Sequence, residues 1–114
     1  MIESIPLDEI TSIVTQKAKE VLGPKLRNVI LYGSYARGEQ TEDSDIDIMV
    51  LADIDNDEAF SYWKRICEAT GDLDLEYNTI VSVQVKNKDF FYEWISVLPF
   101  YQNVIKDGVE LYGS

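Results

Sequence analysis

The chain has 114 residues and a formal net charge of −11, from 21 acidic and 10 basic residues. Its length and its 46% hydrophobic content are ordinary for a globular protein, so we expect one domain over residues 1–114. The acidic balance argues against DNA binding, which relies on clustered Lys and Arg side chains. It favours a small-molecule substrate or a partner protein with a basic surface.

Cys67 is the single cysteine and the chain has no histidine. An internal disulfide, a histidine-based catalytic triad and a histidine–zinc site are therefore excluded. A chain without disulfides suits a reducing compartment, so we expect a cytoplasmic location. We find neither a signal-peptide pattern nor an apolar run of about 18 residues, and membrane insertion is not expected.

The first half of the chain alternates helix-like and strand-like spacing. Residues 7–22 carry apolar side chains every three or four positions, which predicts an amphipathic helix ended by Gly23 and Pro24. Residues 27–32 form a short apolar run typical of a buried strand. A brief helix over residues 34–37 and a second strand over residues 45–52 follow.

The second half continues the alternation. Residues 56–70 place apolar side chains on one helical stripe, and residues 73–85 alternate in the manner of a third strand. Residues 89–98 and 100–106 predict two further short helices. The expected fold is α/β (α+β), a small mixed β-sheet flanked by helices.

Asp45 and Asp47 lie one residue apart where the second predicted strand begins, so their side chains point to the same side. Two carboxylates on one face repel each other unless a cation lies between them, and Mg²⁺ or Mn²⁺ prefers such oxygen ligands. Gly33 and Ser34 open a turn whose N–H groups and hydroxyl can bind a phosphate oxygen. Arg37 can neutralise triphosphate charge or pair with an acidic neighbour.

Each of these features alone is typical of a solvated loop, an ordinary turn or a surface charge. Their combination is more specific, since the glycine ends one apolar strand and the acidic pair opens the next. Sequential strands are usually neighbours, so the two features meet. The sequence therefore predicts a site for a nucleoside triphosphate and a divalent metal.

The motif resembles the signature of the nucleotidyltransferase superfamily related to DNA polymerase beta. The likeness is closest to the minimal nucleotidyltransferase (MNT) domains of prokaryotes. It rests on Gly33-Ser34-x-Ala36-Arg37-Gly38, five further residues, and Ser44-Asp45-x-Asp47.

The resemblance implies the polymerase-beta-like nucleotidyltransferase fold and metal-dependent transfer of a nucleoside monophosphate from ATP, or another triphosphate, to a hydroxyl. Asp45 and Asp47 would be the catalytic carboxylates that hold the metal. The nucleotide-binding residues would be Gly33, Ser34, Arg37 and Ser44. Many MNT domains are encoded with a HEPN protein, and some are antitoxins that adenylylate it, which implies a HEPN-like partner.

The family usually supplies a third carboxylate from the third strand. Ile80 occupies the position that we align with it, and Glu76 is the nearest substitute on the same predicted face. Four residues along a strand span about 13 Å, so Glu76 would need a shift of register to serve. Loss of this group would leave nucleotide and metal binding possible while impairing transfer, since nothing deprotonates the attacking hydroxyl.

Three hypotheses follow. The first is a nucleotidyltransferase that uses ATP and Mg²⁺ to modify a protein partner. The second is an MNT antitoxin that neutralises its partner by binding, with weak or no catalysis. The third, an enzyme resembling the aminoglycoside nucleotidyltransferases, is weaker because those enzymes carry an additional helical domain, although an acidic surface would suit a cationic drug.

Overall fold

The computed structural model describes residues 6–113, in which six helices surround a four-stranded sheet. The elements in chain order are α1 (Leu7–Leu22), β1 (Leu26–Tyr32), α2 (Ser34–Arg37), β2 (Ile46–Ala52), α3 (Ala59–Thr70), α4 (Asp72–Glu76), β3 (Val81–Asn87), α5 (Lys88–Trp94), α6 (Pro99–Asp107) and β4 (Val109–Gly113). One 3-10 turn, Gly23–Lys25, joins α1 to β1.

The sheet is mixed, with strand order β3-β2-β1-β4. Strand β1 runs antiparallel to both β2 and β4, whereas β2 and β3 are parallel. Two register pairs matter for the site: Tyr32 lies opposite Asp47, and Asp47 lies opposite Ser82. The mixed, helix-flanked sheet confirms the predicted fold class.

Both faces of β2 are buried, which explains its nearly continuous apolar sequence. Ile46, Ile48 and Val50 pack toward α1 and α3, while Met49 and Leu51 face a second cluster. Burial of one such side chain contributes about 1.5–3 kcal/mol. This second cluster is completed by Ile30, Tyr32, Phe91, Tyr101 and Val104, of which the last three belong to α5 and α6.

Helix α1 confirms the first predicted element. Asp8 and Glu9 lie in its first turn, where negative charge interacts favourably with the helix dipole. It ends at Gly23, whose positive φ of 57° suits glycine. No helix within residues 6–113 combines the length and the apolar composition that crossing a bilayer requires.

The prediction of a third strand over residues 73–85 was wrong in its first half. Residues 72–76 form the short helix α4, and Leu75 is 88% exposed instead of buried. The alternation of acidic and leucine side chains there resembles a strand, but Asn78 adopts a positive φ of 50° and breaks the extended path. Strand β3 begins only at Val81.

The apolar stripe predicted on α3 is only partly buried. Ile66 is fully buried, but Phe60 is 68% exposed. Trp63 lies at the edge of the sheet, where its Nε1–H donates a hydrogen bond of 2.8 Å to the Val83 carbonyl of β3. Strand β4, which pairs with β1 near the end of the chain, was not predicted from the sequence.

Candidate functional site

Gly33 occupies a position that accepts only glycine. It follows β1 with a φ of 77°, and a Cβ there would lie 3.3 Å from Cγ of Asp47 and closer still to the carboxylate oxygen. The Gly33 carbonyl accepts hydrogen bonds from the N–H groups of Ala36 (3.1 Å) and Arg37 (3.2 Å), which closes the single turn of α2. The backbone of the turn therefore lies directly against the Asp47 side chain.

Asp45 and Asp47 come together as the sequence predicts. Asp47 is the second residue of β2 and is partly buried, whereas Asp45 precedes the strand and is exposed. Burial raises the pKa of Asp47, the negative charge of Asp45 raises it further, and the positive charge of Arg37 lowers it. The two carboxylates repel each other at a site where a cation would relieve the repulsion.

Arg37 and Ser44 are engaged within the protein. The Arg37 guanidinium Nε donates to the Glu39 carboxylate over 3.2 Å, which is the pairing with an acidic neighbour that the sequence left open. Ser44 Oγ accepts the Thr41 N–H at 2.9 Å, and the Ser44 N–H donates to the Thr41 carbonyl at 3.1 Å. Ser44 thus braces the loop that leads into Asp45.

Ser82 is the β3 residue opposite Asp47. Side chains alternate along a strand, and paired residues share a face, so the Ser82 hydroxyl lies beside the Asp47 carboxylate on the sheet surface. Ile80 is one step earlier on that face, 58% exposed, and its carbonyl accepts the Ile46 N–H at 2.8 Å. The residue opposite Asp47 is thus two positions after Ile80, and the assignment of Ile80 to the third-carboxylate position stays a prediction, because spacing alone does not fix strand register.

The prediction that Glu76 lies on the third strand was wrong. It ends α4 with an exposed side chain, and four residues separate it from the start of β3. Within residues 6–113, no three Asp, Glu or Cys side chains converge on a point that could hold a metal ion. The carboxylate site of the described chain therefore consists of Asp45 and Asp47 alone.

An open depression of about 460 Å³ lies beside Asp45. Asp74, on its wall, accepts the Val81 N–H at 3.0 Å and so caps the outer edge of β3. The depression is strongly acidic. Because it is open to solvent, a cation can reach Asp45. Its lining is Glu42, Asp43, Ser44, Asp45, Asp74, Asn78, Thr79 and Ile80.

Two aromatic residues beside the site were missed in the sequence. Tyr32 lies opposite Asp47, and burial, with a smaller effect of the Asp47 charge, raises the pKa of its phenol to about 12. Phe100, far along the chain in α6, packs against the Tyr32 ring with 5.6 Å between centroids. The position of Tyr32 next to Gly33 was a usable signal, but nothing in the sequence placed Phe100 near Gly33 and Asp47.

A family model described as a nucleotidyltransferase domain matches residues 7–112. A candidate protein adenylyltransferase of Methanocaldococcus jannaschii is 36% identical over 88 residues, covering 77% of this chain and 80% of the relative. The protein adenylyltransferase MntA of Thermococcus cleftensis is 47% identical over 47 residues, covering 40% of this chain and 48% of that protein.

The fold also matches solved structures. A crystal structure of a toxin–antitoxin with AMP-PNP shares 27% identity and a TM-score of 0.53, covering 89% of this chain and 72% of that chain. A mutant MntA-HpeT toxin–antitoxin shares 25% identity and a TM-score of 0.51, covering 88% of this chain and 71% of that chain. These matches confirm the predicted nucleotidyltransferase fold. Since the family model spans nearly all of its sequence, the chain belongs to the nucleotidyltransferase domain family.

Proposed function

We propose that the chain transfers AMP from ATP to a hydroxyl of a partner protein, using Asp45 and Asp47 to hold Mg²⁺ or Mn²⁺. The observation that carries the proposal is the contact of Gly33 with the Asp47 carboxylate, which joins a phosphate-binding turn to a carboxylate pair. Relatives named as protein adenylyltransferases support the choice of AMP and of a protein acceptor.

The donor set suits a hard divalent cation. Two carboxylates meet at one end of the sheet, where burial and, after it, the negative charge of Asp45 raise the pKa of Asp47. Mg²⁺ binds proteins through one or two carboxylates and completes its coordination with water and phosphate oxygens. When bound, the metal neutralises charge that develops on the transferring phosphoryl group.

The other residues bind and orient the triphosphate. Gly33 lets the backbone approach a phosphate, and Ser34 offers its N–H and hydroxyl at the start of α2. When the triphosphate binds, the Arg37 guanidinium leaves the Glu39 carboxylate and contacts phosphate oxygens. This exchange costs little, because an exposed ion pair contributes only about 0–1 kcal/mol to stability. Ser44 contributes indirectly by holding the loop before Asp45.

Slow transfer is expected from the group opposite Asp47. The residue there is Ser82, whose hydroxyl is a poor base. Within residues 6–113, no third carboxylate joins Asp45 and Asp47 to deprotonate the acceptor hydroxyl. This observation favours a second candidate function, an antitoxin-type subunit that neutralises a HEPN-like protein by binding. In both cases the net charge of −11 favours a partner with a basic surface.

The test incubates the full chain with ATP labelled at the α-phosphate, Mg²⁺ and the protein encoded beside it. We expect label on the partner with the wild type and with Asp43→Ala, an exposed acid of the same loop, but not with Asp47→Ala. An unlabelled partner in all three reactions would contradict the transfer activity.

The same variants separate the two candidates. If Asp45→Ala and Asp47→Ala together abolish labelling while the partner still co-elutes, the partner binds independently of the carboxylate pair. If the wild type leaves the partner unlabelled but suppresses its activity, the binding subunit is the correct function.

A further inference from the structure

Phe100 is an aromatic side chain left half-exposed beside the carboxylate pair. It is 48% exposed, although it is the second residue of a helix packed on the sheet. Its ring meets that of Tyr32 at an angle of 85° with 5.6 Å between centroids. Aromatic pairs favour this perpendicular arrangement, so Tyr32 fixes the orientation of the Phe100 ring while much of that ring stays open to solvent.

Tyr32 connects this open ring to the carboxylates. Tyr32 and Asp47 are direct partners across β1 and β2, and paired side chains share one face with Cβ atoms about 4.5–5.5 Å apart. Asp47, Tyr32 and Phe100 therefore form a continuous row on the face of the sheet that α5 and α6 cover.

We propose that Phe100, held by Tyr32, forms the wall against which the purine base of the nucleotide packs. This inference rests on the proposed function, because it needs the triphosphate at Asp45 and Asp47. One ribose separates the base of a nucleotide from its α-phosphate, so the base lies a short step from the carboxylates. The rings of Tyr32 and Phe100 offer an apolar surface at about that distance from the carboxylates.

The chemistry of the row determines what it recognises. An aromatic ring stacks on the π-face of a base and accepts any base that presents one, with larger faces giving more contact. Phe100 has no polar atom with which to read the edge of a base. The wall therefore contributes affinity for purine nucleotides over pyrimidine nucleotides and none for the triphosphate itself.

A partner protein is the competing occupant of this surface. Val97 is 61% exposed and Leu98 37% exposed, so apolar surface continues beyond Phe100. A protein seated there would make Phe100 important for partner binding and irrelevant to free nucleotide. The two occupants are distinguishable, because nucleotide binding is measured without the partner.

The experiment measures affinities by calorimetry, with Mg²⁺ present, for ATP, CTP and inorganic triphosphate. Phe100→Ala is compared with Phe100→Trp, which keeps an aromatic face, and with Ile105→Ala, a control on the same helix with similar exposure of 42%. Thermal melts of all variants verify folding. We expect Phe100→Ala to weaken ATP binding about fivefold or more. Triphosphate binding should be unchanged, ATP should bind more tightly than CTP, and Phe100→Trp and Ile105→Ala should match the wild type.

Two outcomes would contradict the proposal that the purine base packs against Phe100. One is ATP affinity in Phe100→Ala equal to the wild type, which leaves a protein as the occupant. The other is an equal loss for ATP and inorganic triphosphate, which would mean a general disturbance of the site. Failure of the proposed function has a different signature: wild-type ATP binding would then be undetectable, or unaffected by Asp45→Asn and Asp47→Asn together.

Discussion

Ser82 lies directly opposite Asp47 in the parallel pairing of β2 and β3, on the sheet face that carries the carboxylate pair. A short polar side chain thus stands where a third carboxylate would be adjacent to the first two. The pairing gives a direct way to test how the site limits catalysis.

Ser82→Asp should increase the rate of AMP transfer at saturating ATP by at least about tenfold, since a positioned general base contributes about 10²–10⁴-fold. Labelled ATP and the partner protein provide the measurement. Ser82→Asn is the neutral control, and Ile80→Asp places the new carboxylate at the position that the sequence spacing favoured. A gain in Ile80→Asp without one in Ser82→Asp would show that the register does not determine the third position.

Gly33→Ala should both destabilise the protein and abolish ATP binding. The alanine needs a φ of 77° with a ψ of −158°, a region almost restricted to glycine that costs about 1–3 kcal/mol, and its Cβ collides with the Asp47 carboxylate. Gly38→Ala is a control for positive φ, because Gly38 has a φ of 71° with a left-handed ψ of 22° and no atom within 4 Å of an added Cβ. Chemical denaturation and calorimetry should show a stability loss in both variants and a binding loss only in Gly33→Ala. Intact ATP binding in Gly33→Ala would disprove the role of this contact.

Asp47→Asn should raise the melting temperature of the metal-free protein at neutral pH. The pKa of Asp47 is raised in the folded protein above its ordinary value of 3.8, so protonation of this carboxyl stabilises the folded state. This stabilisation is complete below 3.8 and is lost as the pH rises through the folded-state pKa. The advantage of Asn over wild type should therefore appear at neutral pH and vanish in acid.

Melting curves across this pH range, recorded with a chelator, provide the comparison. Asp43→Asn in the neighbouring exposed loop controls for the change in net charge. Added Mg²⁺ should stabilise the wild type and not Asp47→Asn. A lower melting temperature for metal-free Asp47→Asn would mean that the carboxylate stabilises the fold.

Trp63→Phe should reduce the free energy of unfolding by about 0.5–1.5 kcal/mol, the usual net contribution of one hydrogen bond. The substitution removes the indole N–H that bonds the Val83 carbonyl on the outer edge of β3 and keeps an aromatic ring. Phe60→Leu on the same helix, at a more exposed position, is the control. Equal stability of Trp63→Phe and wild type in urea would show that the edge bond is dispensable.

Features encoded by neighbouring residues were predictable from the sequence. Gly33 and the turn after it depend on local backbone geometry, and Asp45 and Asp47 share a side of the chain by strand periodicity alone. The β3 region was not predictable, because the alternation of residues 72–76 fits a strand as well as a helical turn. Ser82 and Phe100 reach the site only through strand pairing and helix packing, which local spacing does not determine.

Binding of Mn²⁺, followed by loss of the free-ion signal in electron paramagnetic resonance, tests the central claim most directly. In the presence of ATP we expect the wild type to bind the ion and the variant with both Asp45→Asn and Asp47→Asn to lose that binding, with Asp43→Asn behaving as wild type. Equal Mn²⁺ binding by the wild type and the double variant would contradict a metal–nucleotide site at this carboxylate pair.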